Sequence, residues 1–371
     1  MNKRKIDLNK KSVSNFLIKL MVEMKKNPRN IGIITDKDGT ILLNKELSET
    51  LVKLKKIRNS TIWVIANSGR TVGDMKEAIE KEKIPKDCFD YIIGDNGGEA
   101  INLKNNEELF KHVMEGIHVK QIINEFLKIG GTNENIRFAN GSSIIAQNNR
   151  KIRKYYKDRK NVKFIKKVDE VKTDDITKIT LTGTKEEIEG MEEYIKTKLP
   201  KYSTHKGKTS FPTGKNGNSR MDCTSKNDKG QAMQYMIDLL ELDKCIVLGN
   251  DLNDLGMFKL ALKRGDSVVI ANSEYPGVTR ELVNKLIEFC RQEKIDWKAS
   301  NILILQESNV NKFLQKAQTI MSMVNRNNTK RKFFTEQIKC NPDLLNKKII
   351  SALDTNSKNK KKKDKSNFSC R

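Results

Sequence analysis

Histidine and cysteine are both scarce in this chain, and neither is grouped. Three histidines (His112, His118, His205) and six cysteines (Cys88, Cys223, Cys245, Cys290, Cys340, Cys370) are scattered over 371 residues with no Cys-x-x-Cys pair. That spacing offers neither a zinc ligand set nor a disulfide framework, and it fits a reducing cytoplasm. No apolar run approaches the ~20 residues a helix needs to span a bilayer, so no membrane partner is expected. The longest apolar patch near the N-terminus, Phe16 to Val22, is broken by Lys19 and lacks a small-residue cleavage site, so no signal peptide is read. Carboxylates are also outnumbered: 47 Asp and Glu face 72 Lys and Arg, for a formal charge of +25. Such an excess raises nucleic acid as a partner. Much of it, however, is lysine accompanied by abundant Asn and Ile, the composition of an AT-rich coding sequence, so lysine on solvent faces is the plainer expectation.

What the chain does contain is enough apolar residue, 36 %, to build one large or two medium domains. Five short apolar runs each close on a polar or glycine-rich cluster. They are Ile31 to Thr35 into Asp36-Lys-Asp-Gly-Thr40, Thr61 to Ala66 into Asn67-Ser-Gly-Arg70, Tyr91 to Ile93 into Gly94-Asp-Asn-Gly-Gly98, Cys245 to Leu248 into Gly249-Asn-Asp-Leu-Asn-Asp254, and Ser267 to Ala271 into Asn272-Ser273. Runs of this length without alternation suit strands buried on both faces, as in a parallel sheet. Helical stretches at Ser48 to Ile57, Thr71 to Lys83 and Asp254 to Arg264 alternate with them. The pattern predicts a doubly wound α/β core over 30–98 and 222–295, with its ligand beyond the carboxyl ends of the strands.

Residues 99–221 have another texture. Thr177 to Thr182 alternates like a half-exposed strand, Asn135 to Ala146 and Val162 to Ile165 supply further strands, and Lys185 to Leu199 is an amphipathic helix. An inserted α+β module is expected there, with Phe211 to Asn218 as a loop in or near it. Residues 1–29 form a basic extension with Phe16, Leu20 and Met24 at helical spacing. Residues 296–371 hold 17 Lys and Arg against 6 Asp and Glu and finish in a Lys-rich low-complexity tail. Within that region Ile302 to Leu305 and Phe313 to Val324 can form a strand and a helix.

Asp36 and Asp38, two residues apart just past a buried strand, point the same way if the chain stays extended. One carboxylate can then attack phosphorus while the other moves the leaving-group proton. Gly39 permits the tight turn and Thr40 helps close it, although an Asp-Gly pair also marks ordinary turns. Ser68-Gly69 offers a hydroxyl and backbone N–H groups to phosphoryl oxygens, or is a plain turn. Lys229 can neutralise a phosphate, with Lys226 as its rival. The last cluster joins two carboxylates to two amides, oxygen donors of the kind Mg²⁺ takes, or simply caps the following helix.

Taken in order, these clusters resemble the haloacid dehalogenase superfamily of phosphohydrolases. The large insert after the second motif, led by Asp95-Asn-Gly-Gly98, is similar to the Cof-type sugar phosphatases and sucrose-phosphate-phosphatase relatives of subclass IIB. The resemblance covers residues 30 to about 290. It implies a Rossmann-like doubly wound parallel core with a mobile α+β cap, and a two-step phosphoryl transfer. In that scheme Asp36 is the nucleophile, forming an aspartyl-phosphate, and Asp38 is the general acid and base. Ser68, Gly69 and Lys229 hold the phosphate, with Gly39 and Thr40 shaping the loop. Arg70, Asn96 and Asn253 lie where substrate or its phosphate is bound. Mg²⁺ is held by Asp36, the Asp38 main-chain carbonyl and the fourth motif, whose donors are Asn250, Asp251 and Asp254. Cap residues such as Asn140 and Ser142 can meet a sugar hydroxyl.

One position departs from the family pattern, Gly-Asp-x-x-Asn-Asp: its first aspartate is Asn250 here, and Asp251 follows one place later. Three readings stay open. Asn250 ligates through its amide oxygen, or the loop shifts so that Asp251 serves, or turnover is impaired and the chain acts as a binder. The resemblance thus implies a Mg²⁺-dependent phosphatase of a small phosphorylated metabolite, a sugar phosphate. The alternative is a protein of the same fold that binds nucleic acid or another anionic partner through its basic C-terminal region.

Overall fold

The computed structural model describes residues 16, 19–20, 30–41, 43–57, 61–208, 219–225, 228–272, 276–296 and 302–326. Most of the 1–29 extension, the 211–218 loop, Lys226 and the Lys-rich tail lie outside them. Two sheets organise the described residues. The first has eight strands in the order β14-β13-β12-β1-β2-β3-β4-β5. Its centre is β1 (Asn30–Thr35), flanked by β2 (Thr61–Asn67) and β12 (Lys244–Gly249), with β3 (Tyr91–Gly94) and β13 (Ser267–Asn272) outside them. All of these pair in parallel. The unalternated runs explain this: Ile33, Ile34, Val64, Ile65, Val247 and Leu248 are all buried, so both faces of the strands need cover.

Helices provide that cover. One face holds α1 (Lys45–Lys55) and α2 (Val72–Lys81), begun by the N-caps Asn44 and Thr71, whose side chains accept from Leu47 N and Asp74 N. Leu47, Leu51 and Leu54 form the stripe that α1 turns inward. On the other face lie α6 (Lys229–Leu239), α7 (Leu255–Arg264) and α8 (Pro276–Gln292), whose Met233, Met236, Phe258 and Leu286 are buried. Past residue 295, β14 (Ile302–Gln306) adds a parallel edge strand beside β13, and α9 (Val310–Arg326) packs against α1, with Phe313 edge-on to Phe16. This part of the expected extension is therefore built into the core. At the other edge, the antiparallel hairpin β4 (Glu99–Asn102) and β5 (Glu108–Lys111) continues the first sheet, so the inserted unit begins after it.

The second sheet runs β10-β11-β9-β6-β7-β8. Its strands are β6 (Ile136–Ala139), β7 (Ile144–Gln147), β8 (Val162–Ile165), β9 (Lys178–Gly183), β10 (Tyr202–Lys208) and β11 (Ser219–Ser225). All pairs are antiparallel except β7 with β8. Helices α3 (Gly116–Lys128) and α5 (Lys185–Lys198) cover one face, and short α4 (Arg150–Tyr155) joins β7 to β8. The apolar cluster here, Val119, Phe126, Phe138, Ile179, Leu181, Met191 and Met221 among others, draws only on residues between 114 and 223, and the two clusters of the first sheet draw on none of them.

Alternation decides what the second sheet shows to the first. In β9, Ile179 and Leu181 join the apolar cluster, leaving Lys178, Thr180 and Thr182 on the opposite face. The pattern alone suggests a half-exposed strand. Instead Lys178, Thr180 and Thr182 are all buried, Lys178 and Thr180 because they are turned toward the carboxyl ends of the first sheet.

Candidate active site

Asp36 follows β1 directly, and its backbone N–H donates to Leu248 O at 2.9 Å, tying the ends of β1 and β12 together. Its carboxylate is buried. Oδ1 accepts from Lys229 Nζ at 2.6 Å, and the same ammonium donates to Asp254 Oδ1 at 2.7 Å. Lys229 and Asp254 are fully buried. Asn67 Nδ2 donates to Lys229 O and so fixes the start of α6, a contact that motif spacing does not reveal.

The charges in this knot are unequal. Burial, opposed by the Lys229 ammonium and aided by the Asp254 carboxylate, pushes the Asp36 carboxyl up to about 7. Burial would lower the Lys229 ammonium, but Asp254 and then Asp36 raise it above its ordinary value, so the lysine stays charged. Asp38 behaves differently. Burial would raise its carboxyl, yet bonds from Arg70 Nε (2.5 Å) and Nη2 (2.7 Å), with Lys37 Nζ at 2.8 Å, hold it at about 2. Arg70 thus grips Asp38 with both arms of its guanidinium.

Gly39 has φ +73, a conformation open to glycine at little strain, and a Cβ there would lie 2.1 Å from Asn250 Nδ2. The loop after β1 and the loop after β12 therefore touch. Thr40 Oγ1 lies 3.3 Å from Asn250 Oδ1 and 3.4 Å from Asp36 Oδ2. Asp254 Oδ2 accepts from the N–H groups of Asn250 (2.7 Å) and Asp251 (3.0 Å), while Asp251 caps the 252–254 turn by accepting from Leu252 N. Both Asp254 oxygens are engaged by protein donors, so this residue folds the loop and seats Lys229.

Ser68 is buried, its Oγ accepting from Arg70 N at 3.1 Å, and Gly69 and Arg70 reach the cavity wall. Asp95 and Asn96 take φ of +53 and +55, a tight turn after β3 that aims Asn96 Oδ1 at Asn253 Nδ2, 3.1 Å away. Asn140 and Ser142 are not among the cavity-lining residues. Asn140 Oδ1 instead accepts from Ser143 N to close a turn, and Gly141 O accepts from Gly73 N of α2.

Among the described residues, no three His, Cys, Asp or Glu side chains converge into a metal cluster. The donors available are a carboxylate at Asp36, the Asp38 main-chain carbonyl, a carboxamide at Asn250 and the capping carboxylate of Asp251. All are oxygen donors, the kind a hard divalent cation such as Mg²⁺ takes.

Over these groups lies a cavity of about 320 Å³ lined by Asp36, Asp38, Asn96, Asn250 and Asn253 and by the polar face of the second sheet. That face contributes Arg137, Lys178, Thr180, His205, Arg220 and Asp222, none of which motif reading singles out. The available signal is alternation, because Lys178/Thr180 and Arg220/Asp222 are polar at every second position. Lys178 spans the gap, with Nζ 2.8 Å from Asp95 Oδ1 and donating to Gly69 O at 2.7 Å.

Comparison with known proteins agrees with this arrangement. A haloacid dehalogenase-like hydrolase from Bacteroides thetaiotaomicron matches with a TM-score of 0.57 and 17 % identity, over 80 % of this chain and 99 % of its own, a likeness of fold. A HAD/COF-like hydrolase from Plasmodium vivax (TM-score 0.49, 15 % identity, 72 % of this chain and 99 % of its own) lies further off. So does the sucrose-phosphatase of Synechocystis sp. PCC6803 (TM-score 0.42, 14 % identity, 74 % and 91 %). A search of curated proteins found no match. The family model for haloacid dehalogenase-like hydrolases matches residues 33–278, well over half of the sequence, and the chain belongs to that family.

Proposed function

We propose that this hydrolase is a phosphatase of the Cof type, cleaving the monoester of a small phosphorylated metabolite. The observation that supports it most is the buried Asp36–Lys229–Asp254 knot at the carboxyl ends of β1 and β12, beneath a cavity of metabolite size. An Asp36 oxygen attacks phosphorus as the ester P–O bond breaks, and Asp38 gives a proton to the leaving oxygen. Water then attacks the aspartyl-phosphate, its proton returns to Asp38, and inorganic phosphate and the free Asp36 carboxylate are released. Lys229 steadies the carboxylate and the phosphoryl charge. Main-chain N–H groups near Gly69, with Asn96 and Asn253, orient the phosphoryl oxygens. Arg70 holds Asp38 ionised and pointed at the cavity. An incoming phosphate that competes for the guanidinium frees this carboxylate to take up the proton it then gives to the leaving oxygen.

A divalent cation held by Asp36, the Asp38 carbonyl, Asn250 and Asp251 would offset the repulsion between an anionic nucleophile and an anionic ester. The second sheet acts as the cap. The thiols of Cys88, Cys223, Cys245 and Cys290, all buried and unpaired, are consistent with work in a reducing cytoplasm. No helix among the described residues is long and apolar enough to cross a membrane.

The test is hydrolysis of an aryl phosphate with Mg²⁺ by the full chain and by Asp36→Asn. The variant should keep its thermal melt and lose on the order of 10³-fold or more in kcat. Equal turnover by both proteins, or none by the wild type on any phosphate ester, would overturn the proposal.

A further inference from the structure

Strand register places His205, Asp222, Thr180 and Arg137 in one row across β10, β11, β9 and β6. Arg220, two residues before Asp222, falls on the same face. The residues between them, Phe138, Ile179, Met221 and Leu181, belong to the apolar cluster behind the sheet. The folding of the sheet itself therefore aims two guanidiniums into the cavity, where a charge needs a close and well-formed partner.

Asp222 is the carboxylate this face supplies. It is buried, and its oxygens accept from Arg220 Nε (3.0 Å), Arg220 Nη2 and Thr180 Oγ1 (2.6 Å). Arg137, also buried, bonds to the phenol oxygen of Tyr156. Burial and the charge of Arg220 both depress the Arg137 pKa, while Asp222 is held well below the usual carboxylate range by Arg220 and Lys178 against the effect of burial. In the same row His205 Nε2 is buried and has no hydrogen-bond partner among the described residues. Asn253 Oδ1, of another residue lining the cavity, is in the same condition. The wall thus sets two guanidiniums against one carboxylate, which Arg220 already engages, together with polar atoms that have no partner among the described residues. Guanidinium forks match oxyanions, whereas a neutral polyol gives them no charge to meet.

Resting on the phosphatase reading above, we propose that the substrate carries a second oxyanion, a carboxylate or a further phosphoryl group, besides the ester that Asp36 attacks, and that Arg137 and Arg220 hold it. The cavity then has two anion-binding poles, one at Lys229 and the Gly69 loop, the other on the second sheet.

Steady-state kinetics of the full chain with Mg²⁺ tests this on a hexose monophosphate, the corresponding hexose bisphosphate, the phosphorylated sugar acid of equal length, and an aryl phosphate. The doubly anionic esters should exceed the monophosphate in kcat/KM by about tenfold or more, and whichever gains more identifies the group held. In Arg137→Gln the ratio should fall toward one, and in Arg137→Lys, which keeps the charge but loses the fork, it should lie between. Arg220→Lys gives a second measurement should Arg137→Gln fail to fold. A wild-type ratio near one, or a variant that loses both substrate classes equally, overturns the second pole and leaves the phosphatase reading standing. Failure to hydrolyse even the aryl phosphate overturns both.

Discussion

At Asn250 a neutral carboxamide stands where the family writes an aspartate, and its environment suits an amide. Oδ1 lies within reach of the Thr40 hydroxyl, and Nδ2 packs over Gly39. Asn250→Asp puts another formal charge among the oxygen donors, so divalent cation affinity measured by calorimetry on the unliganded protein should rise by roughly tenfold. Glu99 gives a prediction of a different kind. It is buried, and desolvation, with the charge of Asp95 and against the weaker pull of Lys111, pushes its carboxyl up to about 7; Glu108 adds to the rise and Lys76 opposes it. An unfolded glutamate titrates near 4.3, so the native state holds this proton more tightly. The resulting stability is fully present below about pH 4 and is lost as pH rises through 7, an effect on the order of 3 kcal/mol. Chemical denaturation of Glu99→Gln across that range should show a flatter profile than the wild type. The Asp-x-Asp-Gly-Thr and Gly-Asn-Asp-Leu-Asn-Asp motifs and the separate Lys229 bring Asp36, Lys229 and Asp254 together as a reader of the sequence expects. The two-armed Arg70–Asp38 pair is not legible there, because it joins different loops 32 residues apart.

At the level of elements, the parallel strands are plain in the sequence because burial on both faces leaves unalternated apolar runs. The second sheet is harder to read. Its alternation is visible in Lys178 to Thr182, but alternation says only that two faces differ, and the polar one turns out to be covered. What brings it so near is the opening turn of α2. There Gly73 N donates to Gly141 O, Asn161 Nδ2 reaches Thr71 Oγ1, and Arg159 Nη1 pairs with Asp74 Oδ2 at 2.8 Å. A Cβ on Gly73 would lie 1.9 Å from Ser142 O, a backbone atom that cannot swing aside. Gly73→Ala should therefore push the two units apart, lowering stability by about 1–3 kcal/mol. Its kcat/KM on an aryl phosphate should fall more than that of Lys76→Ala in the same helix, measured side by side.

At the scale of the whole molecule, residues 296–371 carry 17 Lys and Arg against 6 Asp and Glu, yet the part between 302 and 326 spends itself on architecture: β14 extends the first sheet, and Gln315 of α9 donates to Glu46 of α1 at 2.7 Å. Composition hides this, since residues 296–371 taken together read as a basic appendage even though Ile302 to Leu305 and Phe313 to Val324 are the apolar positions of a strand and a helix. Truncation before residue 355 removes the Lys-rich stretch and none of the described residues, so turnover should stay within about twofold of the full chain. Truncation before residue 302 should lower the melting temperature sharply, because it strips β13 of its neighbour and α1 of its cover.

Since neither sheet lends the other any part of its apolar interior, drawing them apart wets mainly charged and hydroxylated groups. Such a separation carries little of the heat-capacity signature of exposed hydrocarbon. Its balance answers to ionic strength through partly exposed pairs such as Arg159–Asp74, and much less to temperature.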